Sequence, residues 1–292
     1  MRQDVARRMW QAMEPYHALV YFAPERQAAY EGVGLKGGWM GYFASRSAAM
    51  GPVPAQVVVA TFYNFHPRLV HRAIPDAWAL APPERILAAR YQVADAALRR
   101  LLGDAAGAAE VAVAAKLARR VLAACEPLGR PLFAGHLALP WPDEPHLELW
   151  HACTLLREFR GDGHVASLLV EGIDGCEANV LQAAAGRAPG EVLRGWRGWS
   201  QEEWDAAVER LRRRGWLDAN GALTETGTVG RDGIEYRTDE LALAPWRRLG
   251  EDGCTRLWKL LHGPVAAILA GGGVPQPILE SLGVHAPLAP PG

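Results

Sequence analysis

The chain has 292 residues, half of them hydrophobic and 22% charged, with 31 Lys+Arg against 32 Asp+Glu. This is globular composition rather than that of a disordered chain, and it is long enough for two hydrophobic cores. A net charge of −1 lacks the basic excess typical of nucleic-acid binders, and no apolar run approaches the ~18 residues of a membrane span.

Residues 1–13, MRQDVARRMWQAM, are charged and helical with no apolar stretch before a cleavage site, so the expected location is cytoplasmic. Cys125, Cys153, Cys176 and Cys254 are scattered without a C-x-x-C pair and read as buried thiols in a reducing compartment. The first helix carries Tyr16, His17, Tyr21 and Phe22, and the next carries Trp39, Met40, Tyr42, Phe43 and Arg46. His17 with Tyr21, and Tyr42 with Arg46, are four apart and share a face. Residues 55–65, AQVVVATFYNF, read as a helix apolar on nearly every side, ending in Phe62, Tyr63, Asn64 and Phe65 before His66. Residues 73–84, AIPDAWALAPPE, carry no hairpin signal, and the prolines of residues 140–145, PWPDEP, mark a boundary.

Beyond that boundary, residues 146–164 (HLELWHACTLLREFRGDGH) place His151, Leu155 and Glu158 on one helical stripe. Arg157, Arg160, Asp162 and His164 crowd its end, where Asp162 reads as the N-cap of a following helix. Asp174 with Glu177, and Ser200 with Glu203, have capping-box spacing. Trp204, Ala207, Val208 and Leu211 then recur as one buried helical face. Asn220-Gly221 suits a type I′ turn and predicts a short β-hairpin over residues 218–224. A last clear helix runs through GIEYRTDELALAPW, residues 233–246.

The order helix, RRGWLD, tight hairpin and LT-x-x-G resembles the MarR family of regulators, whose recognition helix and wing follow this order. The whole chain also resembles a group of actinobacterial tandem helix-turn-helix proteins of no settled activity, at FYNF (62–65), R-E-x-R-G-D-G-H (157–164) and RGWS (197–200). Slid against itself by roughly 140 residues, the chain shows a faint duplication. The expected fold is therefore mostly α: two tandem winged-helix repeats, residues 1–140 and 141–292, forming an intramolecular pseudo-dimer with a β-hairpin wing in the second. Whether the protein is a monomer or a dimer is left open.

In the second half, the turns that would enter a DNA groove carry Gln201, Glu202, Glu203 and Asp205, which would repel phosphates. The arginines, Arg210, Arg212, Arg213 and Arg214, gather at the far end, and the hairpin has no Lys or Arg. Both features weigh against nucleic acid as a partner. The MarR resemblance implies instead a small aromatic or amphipathic ligand held between helical layers. Its candidate contacts are His17, Tyr21, Trp39, Tyr42, Arg46, Phe62, Tyr63, Asn64 and His66, with Arg46 holding an anion. The same residues also read as an aromatic core around one salt-bridged arginine.

His151, Arg157, Glu158, Asp162 and His164 are candidate acid–base groups, or alternatively a structural ion-pair cluster. No metal site is expected, because His151 and Glu158 lack H-E-x-x-H spacing. Gly32-x-Gly34-x-x-Gly37 follows a helix rather than a strand, so it does not qualify as a dinucleotide fingerprint. No cofactor is assigned. Three readings remain: a small-molecule-binding protein derived from a regulator with DNA binding largely lost, a ligand-responsive transcription regulator, and an enzyme with an acid–base or metal site.

Overall fold

Prolines and capping residues divide the chain into helices. The computed structural model describes residue 2 and residues 4–284; residues 285–292, the end of the proposed second half, lie outside the described part. In chain order the helices are α1 (Asp4–Ala18), α2 (Glu25–Gly32), α3 (Gly37–Ser47), α4 (Ala55–Phe62), α5 (Pro67–His71), α6 (Asp76–Leu80), α7 (Pro83–Leu102) and α8 (Ala109–Val121). They continue as α9 (Pro131–Leu137), α10 (Pro145–Glu171), α11 (Gly175–Ala184), α12 (Gly190–Arg197), α13 (Gln201–Arg213), α14 (Glu225–Leu241), α15 (Ala244–Ala270) and α16 (Gln276–Ser281).

Proline opens α5, α7, α9 and α10, where its missing N–H costs nothing and its fixed φ suits the first turn. Both capping boxes form: Asp174 accepts from the Glu177 N–H while the Glu177 carboxylate reaches back, and Ser200 and Glu203 do the same. Gly172, in the left-handed region at φ 67°, ends α10.

Two hydrophobic clusters result. The larger takes in α1 to α9, the N-terminal part of α10, and α15 and α16, around Tyr16, Phe43, Ile86, Phe133 and Trp150. The smaller comprises Leu168, Ile173, Leu181, Leu193, Trp204, Leu211 and Trp216 with Ile234, from the end of α10 to α14. Helix α10 belongs to both and packs against α1, α8, α9 and α14.

The mostly helical expectation stands, but the β-hairpin wing does not. Among the described residues there is no β-strand, and Leu217 and Leu223 form only an isolated antiparallel bridge. The cause is local. The Asp218 carboxylate accepts from the N–H groups of both Asn220 and Ala222 (2.8 and 2.9 Å), folding the segment onto itself. Of Asn220 and Gly221 only Gly221 has a positive φ (81°), so the type I′ turn does not form either. The first half likewise supplies no wing, since residues 55–84 become α4, α5, α6 and the start of α7. The expected pair of winged-helix repeats is corrected accordingly.

Two smaller expectations also change. Helix α4 is buried on one face only, through Ala55, Val58 and Phe62, and leaves Val57 exposed. Asp162 caps no following helix, because α10 runs unbroken through Gly161-Asp162-Gly163; its carboxylate instead accepts from the Phe133 N–H in the first turn of α9, at 2.9 Å.

Candidate functional site

Charged side chains from both clusters converge on the middle of α10. Arg46 of α3 donates through Nη2 to both oxygens of Glu158 (2.9 and 3.3 Å), and Arg157 donates through Nη1 to Glu158 Oε2 at 2.6 Å. Arg46 also donates to the Tyr42 hydroxyl at 2.9 Å and lies 4.4 Å from the centre of the Phe62 ring. Burial alone would raise the Glu158 pKa, but Arg157 and Arg46 outweigh it and hold the carboxyl well below the usual range. Burial would likewise raise the Tyr42 phenol, and the guanidinium groups of Arg46, Arg197 and Arg157 bring it below its ordinary value.

Two cavities adjoin here, of about 160 and 220 Å³. The smaller is walled by Tyr42, Arg46, Phe62, Tyr63, Phe65 and Glu158. The larger lies against Arg7, Trp10, Arg160, Arg231 and Glu235. Asn64, Arg157, Gly161, His164, Gln182 and Arg197 line both and form a neck between them. Arg197 of α12 lies 4.2 Å from the centre of the Phe65 ring, and its buried Nε has no hydrogen-bond partner. In the larger lobe Arg160 pairs with Asp239 and Glu235 (3.0 and 3.4 Å), and Arg7 pairs with the same two carboxylates.

The His164 tautomer follows from its neighbour. Thr238 Oγ1 donates to the Ile234 carbonyl (2.8 Å), so His164 Nδ1 must donate to Thr238 Oγ1 at 3.0 Å, and Nε2 keeps its lone pair. Burial lowers the His164 pKa despite the opposing charge of Glu235. Burial also raises Asp162, to about 6.

Tyr63 has φ 42°, the sole positive φ of a non-glycine residue among those described, and its hydroxyl donates to the Ile173 carbonyl at 2.5 Å. Such a conformation is costly for an L-residue and persists because its surroundings hold it.

Of the residues expected to bind ligand, Tyr42, Arg46, Phe62, Tyr63 and Asn64 line the smaller lobe, together with the expected acid–base groups Arg157, Glu158, Asp162 and His164. In the sequence these form separate concentrations; the fold merges them. The others lie elsewhere. His17 and Tyr21 belong to a buried relay in which Arg90 donates to the Tyr21 hydroxyl (3.1 Å), that hydroxyl bonds His17 Nε2 (2.9 Å), and His17 Nδ1 bonds Thr154 (3.0 Å). His151 bonds the Tyr91 hydroxyl at 2.8 Å and packs on Trp141, away from Glu158. Trp39 stacks on Phe43 and is 42% exposed. His66 bonds Glu203 at 2.7 Å. Arg197, Gln182, Arg7, Arg231 and Glu235 are not among the expected site residues, and Arg160 is expected only as part of the charged cluster at residues 157–164.

His66 belongs to a second arrangement. Helices α12 and α13 are joined by Gly198-Trp199-Ser200, with Gly198 in the left-handed region at φ 79°. Residues 63–69 lie along this turn. Trp199 Nε1 and Asn179 Nδ2 both donate to the Asn64 carbonyl (3.1 and 2.8 Å), the His66 N–H donates to the Arg197 carbonyl (2.8 Å), and Arg68 Nη2 donates to the Gly198 carbonyl (2.5 Å). The α12–turn–α13 unit has the order of a helix-turn-helix, and the model of a helix-turn-helix family matches residues 6–275.

The chain belongs to this helix-turn-helix family. The match spans both hydrophobic clusters, so the family relation covers the cavity as well as α12 and α13. No curated protein and no solved structure matches the chain. No helix among the described residues is long and apolar enough to cross a membrane, and none of their His, Cys, Asp and Glu side chains group as a metal site.

Proposed function

We propose that this helix-turn-helix protein binds a small organic molecule in the two-lobed cavity and does not read DNA through α13. The neck supports the first part. Residues of α10, α11, α12 and the 63–65 turn surround it, and one buried donor there, Arg197 Nε, is unpaired, with Arg46 Nε and Arg160 Nη1 unpaired in the adjoining lobes. Buried polar groups are normally satisfied, so unpaired N–H groups spread along one cavity suit a polar ligand. Tyr42, Phe62 and Phe65 give the smaller lobe an aromatic wall. The four free, buried thiols suit a cytoplasmic protein.

The surface of α13 supports the second part. Glu202, Asp205 and Glu209 are exposed along it, while Arg210 is drawn into pairs with Asp174 and Glu177 (2.6 and 2.8 Å). His66 and Arg68 hold the N-terminal side of α13 and its preceding turn against residues 63–69. Affinity for DNA needs neutralised phosphates, which carboxylates at this position cannot supply.

Native mass spectrometry of protein purified without denaturation, together with a gel shift on the upstream DNA of its own gene at low salt, tests the proposal. The expected result is a bound small molecule, absent from a Gly161→Leu variant that fills the neck, and no salt-sensitive shift. Tight, sequence-selective and salt-sensitive DNA binding would instead establish a ligand-responsive regulator.

A further inference from the structure

Resting on that reading, we infer that the ligand is an organic anion whose acidic group sits in the neck, against Arg197 and Arg157 and beside His164 and Gln182. Three independent features lead there. First, the six residues common to both lobes include two arginines and no carboxylate.

Second, the charges of the cavity do not balance. Seven arginines line the two lobes, against Glu158, Asp162 and Glu235 in the lining and Glu14, Asp232 and Asp239 paired to it from outside. Each carboxylate is already engaged: Glu158 and Glu14 serve Arg46 and Arg157, Glu235 and Asp239 serve Arg7 and Arg160, Asp232 serves Arg231, and Asp162 caps α9. Among the described residues no carboxylate pairs with Arg197. Arg197 is half-buried, with Tyr42 as its polar neighbour and the like charges of Arg46 and Arg157 acting on it, so a bound anion would supply the counter-charge it lacks.

Third, each lobe holds an arginine more than nine-tenths buried with an N–H that has no partner, Arg46 Nε in the smaller and Arg160 Nη1 in the larger. Neither lobe is purely polar. Phe62 and Phe65 wall one, and Trp10 lies beneath Arg160, 4.9 Å from its guanidinium, in the other. Such walls favour a carbon skeleton over a bare inorganic ion. The shared chemistry is an anionic oxygen group, carboxylate or phosphate ester, on an apolar body.

The test uses the full chain and four probes: benzoate, phenyl phosphate, inorganic phosphate and neutral benzamide, each titrated calorimetrically into wild type, Arg197→Met, Arg197→Lys and Gly161→Leu. At least one organic anion is expected to bind, with benzamide about tenfold weaker or more. Arg197→Met should lose that preference, and Arg197→Lys should keep part of it. Benzoate against phenyl phosphate distinguishes a carboxylate from a phosphate ligand. Melting needs no ligand: Arg197→Met should melt at or above wild type, because it relieves the repulsion of Arg46 and Arg157 on a half-buried guanidinium that no carboxylate pairs. Benzamide binding as tightly as the anions, and lost in Gly161→Leu, would overturn the anion while leaving the cavity as a binding site. Absence of binding by all four probes, with Arg197→Met melting below wild type, would overturn both.

Discussion

Arg46 and Glu158 lie 112 residues apart in sequence and meet at 2.9 Å inside the protein, both almost fully buried. Arg157 approaches the same carboxylate from its other side at 2.6 Å. Removing Glu158 would strand two guanidinium groups in a low-dielectric interior. Glu158→Gln is expected to destabilise the fold by about 3–5 kcal/mol, read as a lowered urea midpoint. A double replacement, Arg46→Met with Glu158→Leu, should recover part of that loss, because one of the stranded charges leaves with its partner.

Buried imidazoles set the acid limb of stability. Burial holds His136 at about 3 and His151 at about 4, and holds His17 well below the ordinary value. As pH falls below the unfolded value of ~6.5, the unfolded chain takes up protons that the folded chain refuses. Each imidazole therefore removes about 1.4 kcal/mol per pH unit between that value and its folded pKa. Asp162, raised to about 6, acts in the opposite direction below pH 6. The three imidazoles outweigh it, so urea unfolding should show lower stability at pH 5.5 than at pH 7. His151→Gln should flatten that dependence; an unchanged slope would show that His151 is not held neutral.

Close backbone contact at Gly175 ties the 63–65 turn to α11. A Cβ there would stand 2.1 Å from the Tyr63 carbonyl oxygen, so the two backbones would have to separate. Gly175→Ala is expected to cost about 1–3 kcal/mol and to weaken ligand binding, since Tyr63 and Asn64 line the cavity. Gly186→Ala is the contrast. Its φ is also left-handed (70°) but nothing lies within 4 Å, so only the conformational penalty of about 1 kcal/mol remains.

The thiols give a simple check of packing. Burial pushes Cys125 and Cys176 up to about 12 and Cys254 to about 11, and all four cysteines are buried. A chromogenic disulfide reagent should leave them unreacted in the native protein and titrate all four after denaturation.

Local signals in the sequence transferred well. The capping boxes at Asp174 and Ser200 satisfy N–H groups within three residues, so nothing distant could change them. Asn220-Gly221 misled because Asp218, just outside the dipeptide, competes for the same backbone N–H groups. Gly161-Asp162-Gly163 reads as a break, yet α10 runs through it, and the two glycines leave room for arginines. A Cβ at Gly163 would meet the Arg130 guanidinium at 2.8 Å, and one at Gly161 would meet that of Arg157 at 3.3 Å. The site was half legible. Helical spacing showed which residues share a face, hence Tyr42 with Arg46, but not which remote face they would oppose. Arg197, though part of RGWS, carries no local signal of a site, since its meaning comes from Phe65 and from the lack of a paired carboxylate.

Helix α10 holds its first turns in one hydrophobic mass and its last in another, with residues 157–164 between them. Cutting the polypeptide at Gly172 would leave Arg46 and Arg157 on one fragment and Arg197 and Arg231 on the other. Neither fragment would own a complete binding chamber, so recognition here is a property of the uncut molecule.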